Sequence, residues 1–337
     1  MQAIDFAYEL PDHLIAQSAI EPRDSSRLLV ASTKQIVRFS DLGSLLQPND
    51  LLVVNRTRVR SARIEGVRRG TGGRVEALLV KRIDDTRWEA LLRPSRRLRT
   101  GEQIDVGGRT MQLVSDPVHG VATVIFEPGT DIESFVEQHG QVPLPPYFSG
   151  VLTNAERYQT IFADQLGSAA APTAALHFTP ELVDALAAGG VDFASVDLEV
   201  GIDTFRPMAA GDIRDHEMHS ERVTVDADAV AAVASAREDR GRVIAVGTTV
   251  VRSLESAASQ NGLVEPYAGS TDLFITPGYE AKVVDAMITN FHASQTTLLV
   301  MISAFLGDEW RELYQDAIDS ELRFLSFGDA MFIEIER

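Results

Sequence analysis

A strand, a polar turn and an apolar helix follow one another in residues 283–306, which read VVDAMITNFHASQTTLLVMISAFL. The run at 283–291 predicts a buried strand, and the run at 296–306 predicts a wholly apolar helix. The same order recurs upstream, where strands predicted at 191–200 and 242–246 each end in small or polar residues. Strands that alternate with helices predict an α/β domain whose mostly parallel sheet is covered on both faces.

Polar side chains gather at the carboxyl ends of these three predicted strands. Ligands bind beyond the carboxyl ends of the strands in sheets of this class, so these positions form a candidate site. An ordinary polar sheet edge is the alternative, and the coincidence at three strand ends favours the site. The residues are Asp203, Thr204, Thr248, Thr249, Asn290 and His292.

Residues 169–181, AAAPTAALHFTPE, are a second candidate edge of that site. Their small side chains let a ligand or another backbone approach closely, and His177 is the imidazole that they present. Thr179 and Pro180 suit the cap and the first position of a helix. The alternative is a capped surface helix with a hydrogen-bonded histidine, and this stretch alone favours that alternative.

Six short alternating segments at hairpin spacing fill the region between about residues 61 and 126. Glycine and aspartate turns separate them, which predicts a compact antiparallel sheet or small barrel. An extended proline-rich connector at 143–147 returns the chain. We therefore expect a β-barrel domain at 61–149, inserted into an α/β catalytic domain formed by 1–60 and 150–337.

The composition narrows the class of protein. The chain has 337 residues and 45% hydrophobic content, enough for a large core. It contains no cysteine, which excludes disulfides, cysteine–zinc sites and iron–sulfur clusters. The N-terminal segment carries Asp5 and Glu9 instead of the basic residues that begin a signal peptide. The apolar run at 298–306 is too short to span a bilayer. We expect a cytoplasmic monomer with no membrane partner.

The charge distribution bears on nucleic-acid binding. A formal net charge of -18 argues against a nucleic-acid partner. Residues 56–109, however, hold 15 Lys and Arg against 7 Asp and Glu, and the densest part is 93–99. Pro94 predicts an exposed loop there. This segment is either a phosphate-binding surface or a solvated strand face.

Two further motifs leave alternatives open. Arg23 and Arg27 bracket small hydroxyls and could bind a carboxylate or phosphate, although a turn held through Asp24 is favoured. Residues 216–221, HEMHSE, place histidines three apart, whereas the zinc-protease pattern requires four. We expect no metal, and interpret this pair as titrating groups beside the sheet edge.

Several segments in this order resemble the S-adenosylmethionine:tRNA ribosyltransferase-isomerase family of queuosine biosynthesis. The resemblance covers nearly the whole chain and agrees with the expected α/β domain and inserted barrel. The segments are 5–11, 23–29, 143–147, 158–160, 170–178, 218–221, 246–256, 277–279, 283–292 and 327–332.

The resemblance implies a reaction. The ribosyl group of the cosubstrate S-adenosylmethionine moves to 7-aminomethyl-7-deazaguanine in tRNA, adenine and methionine leave, and epoxyqueuosine forms. The sulfonium acidifies the C5′ protons, so a base is needed, and adenine leaves best when an acid protonates it. Histidine suits both roles. No permanently bound cofactor is expected.

The resemblance also implies site residues. The candidate acids and bases are His177, His219 and His292. Thr248, Thr249 and Arg252 are expected to hold the methionine carboxylate, and Glu199 or Asp203 the ribose hydroxyls. The remaining expected substrate contacts are Thr173, Thr204 and Asn290, and the expected tRNA contacts are Arg56, Arg58, Arg96, Arg97 and Arg99.

The sequence departs from the family pattern at four places. Ala293-Ser294 replaces Leu-Pro, Ala175 and Asp203 each replace glycine, and Arg56 replaces asparagine. Two alternatives therefore stay open. The chain is a diverged member that acts on a small-molecule acceptor, or a binding protein that lost the chemistry. Adenine release with and without tRNA distinguishes these alternatives.

Overall fold

A computed structural model describes residues 1–150, 152, 154–201 and 207–336. The chain forms two compact units. Met1–Arg58 and Pro145–Arg337 form the first, which we call the α/β unit, and Val59–Leu144 forms the second, the barrel unit. The predicted domain limits, 1–60 with 150–337 and 61–149, differ from these units by a few residues and stay a prediction.

Seventeen strands and six α-helices make up the regular structure of the described residues. In chain order, the strands are β1 (Arg27–Val30), β2 (Gln35–Arg38), β3 (Leu51–Asn55), β4 (Thr57–Val59), β5 (Arg63–Arg68), β6 (Arg74–Arg82), β7 (Arg87–Arg93), β8 (Gln103–Val106), β9 (Arg109–Leu113), β10 (Val121–Phe126), β11 (Gln165–Ser168), β12 (Asp192–Leu198), β13 (Glu221–Val225), β14 (Val243–Val246), β15 (Tyr267–Thr271), β16 (Ala286–Asn290) and β17 (Ala330–Glu334). The α-helices are α1 (Ile132–His139), α2 (Pro180–Ala188), α3 (Ala227–Glu238), α4 (Thr248–Ala257), α5 (Thr297–Leu306) and α6 (Trp310–Asp319).

The α/β unit contains a nine-stranded sheet in the order β15-β13-β12-β3-β14-β16-β17-β1-β2. Parallel pairs join β12 to β3, β3 to β14, β14 to β16, and β17 to β1. The other four neighbouring pairs are antiparallel. The α/β class is confirmed, and the sheet is mixed, with four parallel and four antiparallel pairs.

The antiparallel pairing of β1 with β2 has a simple cause. Only residues 31–34 separate β1 from β2, which is too short for the crossover that a parallel pair requires. These two strands therefore form a hairpin. A small two-stranded sheet of β4 and β11 lies apart from the main sheet.

Two apolar layers cover the faces of the large sheet. Along β14, Val243 and Ala245 belong to one layer, and Ile244 and Val246 belong to the other. All four side chains are fully buried, as expected for a central parallel strand. Residues from α3 to α6 pack in the first layer, and residues from α2 pack in the second. The expected coverage of both faces is confirmed.

The barrel unit is a closed barrel of six antiparallel strands in the order β10-β7-β6-β5-β8-β9. Alternate residues of β10 are buried, as the pleat of a barrel strand requires. Trp88 on β7 is among the largest fully buried side chains. The expected small antiparallel barrel is confirmed. In the described part of the chain, no helix has the length and apolar character needed to cross a membrane.

Candidate active site

A cleft lies at the carboxyl ends of the parallel strands in the α/β unit. It holds about 630 Å³ of space, including the part open to solvent. Five predicted site residues line it together: Thr173, Thr248, Thr249, Asn290 and His292. The structure thus brings the ends of β14 and β16 and the loop before α2 to one place, as the strand-end argument predicts. Tyr147 and Ser326 also line the cleft, and sequence reasoning did not select either.

The first turn of α4 forms one wall of the cleft. Gly247 precedes the helix with φ of 98°, a conformation that favours glycine, and the chain turns there directly from β14 into α4. Thr248 and Thr249 are therefore the first helical residues. The first N–H groups of a helix have no intrahelical partner, and they carry the positive end of its dipole. This wall can bind a carboxylate.

Asn55, at the end of β3, fixes the position of that wall. Its amide donates to the Leu198 carbonyl at 3.0 Å and to Thr249 Oγ1 at 3.4 Å. Its Oδ1 accepts from the Leu198 N–H at 3.2 Å and from the Thr57 N–H at 3.1 Å. One buried side chain thus connects β3, β12 and α4. A polar residue that ends an apolar strand was its signal in the sequence.

Asn290 connects the cleft to a second layer of polar groups. Its Oδ1 accepts from Thr173 Oγ1 at 3.0 Å. Its Nδ2 lies 3.2 Å from His177 Nε2 and 3.4 Å from the Asp329 carbonyl oxygen. Because an amide nitrogen donates, His177 Nε2 is the acceptor, and the histidine is neutral with its proton on Nδ1.

His177 is enclosed behind Asn290 and does not line the cleft. Its Nδ1 lies 2.7 Å from Ser26 Oγ, and its ring stacks on Phe39 with centroids 4.8 Å apart. Burial lowers the pKa of His177 to about 4. Both ring nitrogens are thus occupied within the protein. The structure does not bring His177 together with His292, so its catalytic role stays a prediction.

His292, in contrast, lies at the cleft. Its Nε2 is 2.9 Å from Thr289 Oγ1, and the side chain lines the cavity. Burial lowers the pKa of His292 to about 3. The imidazole is therefore neutral near pH 7.

Two tyrosines hold the backbone of His292 in place. The His292 N–H donates to the Tyr314 hydroxyl at 3.0 Å, and the His292 carbonyl accepts from the Tyr8 hydroxyl at 2.6 Å. The Tyr8 N–H donates to Ser294 Oγ at 3.1 Å. Ser294 is one of the departures from the family pattern, and the proline expected there has no hydroxyl to accept this bond. Sequence reasoning missed both tyrosines.

Arg252 is buried away from the cleft. Its guanidinium donates to Glu221, to the Leu273 carbonyl at 3.1 Å and to the Thr271 carbonyl at 3.1 Å. Each of its three nitrogens already has a partner. Arg252 does not line the cleft, where a methionine carboxylate was expected, and its contact with that carboxylate stays a prediction.

Glu221 joins Arg252 to His219. Its carboxylate accepts from the Gly201 N–H at 2.8 Å and lies 3.2 Å from His219 Nε2. Burial alone would raise the pKa of Glu221, but His219, Arg252 and the Gly201 N–H together lower it. Glu221 is therefore ionised near pH 7. Gly201 adjoins Val200, which lines the cleft.

Glu199, a predicted ribose ligand, does not line the cleft. Glu199 lies 4.0 Å from Arg222 in an ion pair. Asp203 and Thr204 lie outside the described residues. Across 1–150, 152, 154–201 and 207–336, no group of three or more His, Asp or Glu side chains has the arrangement of a metal site.

The predicted tRNA contacts fall into two groups. Arg56 pairs with Asp226 at 3.4 Å, and Arg58 pairs with Glu156 at 2.5 Å. The second group lies in the loop between β7 and β8, and all of its members are exposed. It consists of Arg96, Arg97 and Arg99.

Fold and cleft together define an α/β enzyme with an inserted barrel and a substrate cleft at its strand ends. The family model described as queuosine biosynthesis protein matches residues 3–333. The chain belongs to this family, and the resemblance inferred from its motifs is confirmed.

Named relatives agree with this assignment. The chain is 47% identical over 340 residues to the S-adenosylmethionine:tRNA ribosyltransferase-isomerase of Symbiobacterium thermophilum, covering 99% of this chain and 100% of the relative. It is 46% identical over 343 residues to the enzyme of that name from Heliobacterium modesticaldum, with coverage of 99% and 100%. A crystal structure of S-adenosylmethionine tRNA ribosyltransferase from Thermotoga maritima aligns with a TM-score of 0.55 and 35% identity, covering 98% and 99% of the two chains. These names agree with the expected ribosyltransferase-isomerase activity on tRNA. They agree neither with a small-molecule acceptor nor with a binding protein that lost the chemistry.

Proposed function

We propose that this chain moves the ribosyl group of S-adenosylmethionine to 7-aminomethyl-7-deazaguanine in tRNA. The products are epoxyqueuosine in the tRNA, adenine and methionine. The observation that carries the proposal is a neutral histidine, His292, in a cleft that also contains the first turn of α4. The family's named relatives supply the identity of the two substrates.

His292 is the proposed base. The sulfonium of the cosubstrate acidifies the adjacent C5′ protons, and a neutral imidazole can remove one of them. Burial keeps His292 neutral without any neighbouring charge. Thr289 Oγ1 bonds one ring nitrogen, which fixes the ring plane. The Tyr8 and Tyr314 hydroxyls fix the backbone that carries it.

His219 is the proposed acid that protonates adenine as it leaves. Its Nε2 lies 3.2 Å from the Glu221 carboxylate, which orients the ring. Arg252 acts here through Glu221 and holds that carboxylate in place.

The remaining site residues have proposed binding roles. The α4 N-terminus, with Thr248 and Thr249, binds the methionine carboxylate. Thr173 and Asn290 contact the ribosyl group, and His177 acts as a positioning residue through Asn290. Glu199 and Asp203 stay proposed ribose ligands, and Thr204 stays a proposed substrate contact.

The broader assignments are proposals as well. The partners are tRNA and S-adenosylmethionine, with no permanently bound cofactor, and the protein acts as a cytoplasmic monomer. The α/β catalytic domain is formed by 1–60 and 150–337, and the barrel domain by 61–149.

A single assay tests the proposed function. The full chain is incubated with S-adenosylmethionine and a tRNA that carries the deazaguanine precursor. The tRNA is then digested, and its nucleosides are identified by mass spectrometry. The expected result is epoxyqueuosine, with adenine and methionine released in equal amounts. A parallel reaction with tRNA that carries guanine at the wobble position is the control. Adenine release that does not depend on the precursor tRNA would contradict the proposal.

A further inference from the structure

Seven of the twelve arginines of the barrel unit form ion pairs with carboxylates, and the others include Arg96, Arg97 and Arg99 between β7 and β8. The excess of positive charge counted along residues 56–109 therefore overstates the field that a phosphate meets, because each partner cancels a charge locally. The ion pairs are Arg60 with Glu133, Arg63 with Glu76, Arg68 with Glu102, Arg69 with Asp105, Arg82 with Asp85, Arg87 with Asp84, and Arg109 with Glu127.

A different set of arginines, on the α/β unit, is held by backbone carbonyls. Arg23 donates to the carbonyls of Gln159 at 2.8 Å and Glu156 at 3.2 Å. Arg38 donates to the Ser25 carbonyl at 3.1 Å. A carbonyl orients a guanidinium without cancelling its charge.

Arg323 follows the same pattern. It donates to the carbonyls of Ser18 at 3.1 Å and Phe327 at 2.7 Å. Over the described ranges, Arg23, Arg38 and Arg323 form no ion pair within 4.0 Å. We call these three residues the carbonyl-held arginines.

The carbonyl-held arginines lie along one surface that reaches the cleft. Arg23 lines a small cavity together with His177, Ile20 and Ser326. Ser326 also lines the cleft. Arg38 and Arg323 line the adjoining groove, which Ile20 borders as well. The surface therefore runs from the cleft, past Ser326 and Ile20, to the groove.

Arginines and carboxylates both lie along this surface, and the groove is lined by three arginines and two carboxylates. Burial is the largest cause of the lowered pKa of Arg23 and Arg323. Arg157 lowers the pKa of Arg23 further, against Glu21 and Glu156, and Arg27 lowers that of Arg323, against Asp329. Asp329, which pairs with Arg27 at 3.1 Å, and Asp41 are the carboxylates that line the groove. Like charges held near each other favour an anion between them.

We propose that the carbonyl-held arginines Arg23, Arg38 and Arg323 bind phosphates of the tRNA backbone beside the nucleotide in the cleft. The proposal rests on the proposed function, because it assumes a tRNA substrate. A guanidinium forks onto phosphate oxygens with two parallel hydrogen bonds, and its carbonyl partner fixes the direction of that fork. Phosphate contacts of this kind set the register of a nucleic acid without reading its sequence.

The test compares charge-removing and charge-keeping variants in the full chain. Arg38→Met with Arg323→Met is expected to weaken binding of the precursor tRNA roughly tenfold. The slope of log affinity against log salt should fall by about 0.7–0.9 for each phosphate that the variant no longer binds. Arg38→Lys with Arg323→Lys should retain most of that slope. The affinity for S-adenosylmethionine should stay unchanged in all variants.

Two controls accompany the test. Arg240→Met removes an exposed arginine at the amino end of β14, opposite the cleft, and should leave tRNA binding unchanged. Arg38→Met alone is the second charge-removing variant, because Arg38 is exposed and its loss should preserve the fold even if Arg323→Met unfolds the protein. Thermal unfolding verifies the fold of each variant.

The outcomes separate this proposal from the proposed function. If the parent protein binds and modifies tRNA while the double Met variant keeps the parental affinity and slope, the carbonyl-held arginines are not the phosphate site. If the salt slope of tRNA binding falls only when Arg96, Arg97 and Arg99 are changed to Ala, the phosphates bind the barrel loop. That result overturns the proposal. If the parent protein neither binds nor modifies tRNA, the proposed function itself falls.

Discussion

Two junctions that lead into helices of the α/β unit each carry a histidine, and the surroundings of the two histidines differ. His292 follows β16 and lines the cleft, with one ring nitrogen bonded to Thr289. His177 precedes α2 and is closed off by Ser26, Asn290 and Phe39. Both junctions look alike in sequence. Contact with the cleft distinguishes a histidine that can reach a substrate from one that orients its neighbour.

Removing His292 should have the largest effect. His292→Ala is expected to lower kcat by roughly 10²–10⁴-fold, because a general base contributes that much, while the affinity for S-adenosylmethionine changes little. Adenine release gives kcat, and calorimetry gives the affinity. His13→Ala, which removes an exposed histidine, is the matched control. Parental turnover in His292→Ala would make that histidine structural as well.

Acid should weaken both junctions by the same mechanism. Burial lowers the pKa of His177 to about 4 and of His292 to about 3. Below about pH 6.5 the unfolded chain therefore binds more protons than the folded chain. The contribution of the two histidines to the free energy of unfolding is complete above that pH and falls as the pH drops toward their folded-state pKa values. At pH 5, each histidine should lower the free energy of unfolding by roughly 2 kcal/mol relative to pH 7.

Urea unfolding at pH 7 and pH 5 measures this loss. The parent protein is compared with His177→Gln and His292→Gln. Each variant should show a smaller difference between the two pH values than the parent. An unchanged difference in one variant would mean that the histidine replaced there titrates normally in the folded state.

Removing His177 should reduce turnover less, and only through Asn290. His177→Ala and Asn290→Ala are each expected to lower kcat about tenfold, which corresponds to the loss of one buried hydrogen bond. The double variant should be no worse than the more affected single variant. Additive losses, measured by adenine release, would instead give His177 a catalytic role of its own.

The smallest expected effect concerns the backbone of His292. Tyr8→Phe removes the hydroxyl that donates to the His292 carbonyl. The expected fall in kcat is several-fold, about 1 kcal/mol, with KM unchanged. Tyr267→Phe is the control, since that hydroxyl also donates to a carbonyl, at Ser270, within an exposed strand. Equal effects of the two changes would show that Tyr8 does not position the cleft histidine.

The features predicted well from the sequence are local ones. The observed bounds of β8, Gln103–Val106, and β10, Val121–Phe126, are those that the alternating pattern predicts. The α4 and β16 junctions were also predictable, since a strand end followed by polar residues is a local signal. Thr248, Thr249, Asn290 and His292 line the cleft for that reason.

The features that could not be predicted depend on long-range partners. Tyr8 and His292 are in contact although 284 positions separate them in the sequence. Neither segment contains a signal that predicts this contact. Arg252 looked available because its carboxylate partner lies 31 residues upstream, on β13. Charge counted along the barrel segment likewise ignored pairs such as Arg109 with Glu127. Pairing decides which side chains remain available, and pairing is set by the tertiary fold.

The sheet order has a consequence for the synthesis of the chain. β17 lies between β16 and β1, so the hairpin of β1 and β2 joins the sheet only through the strand at Ala330–Glu334. On the ribosome, that early hairpin must wait for nearly the whole polypeptide to emerge. Ser326 and Asp329 arrive in the same late stretch, beside the cleft and behind Asn290. A growing chain therefore cannot complete its cleft early, and substrates meet a finished site only after translation of these residues.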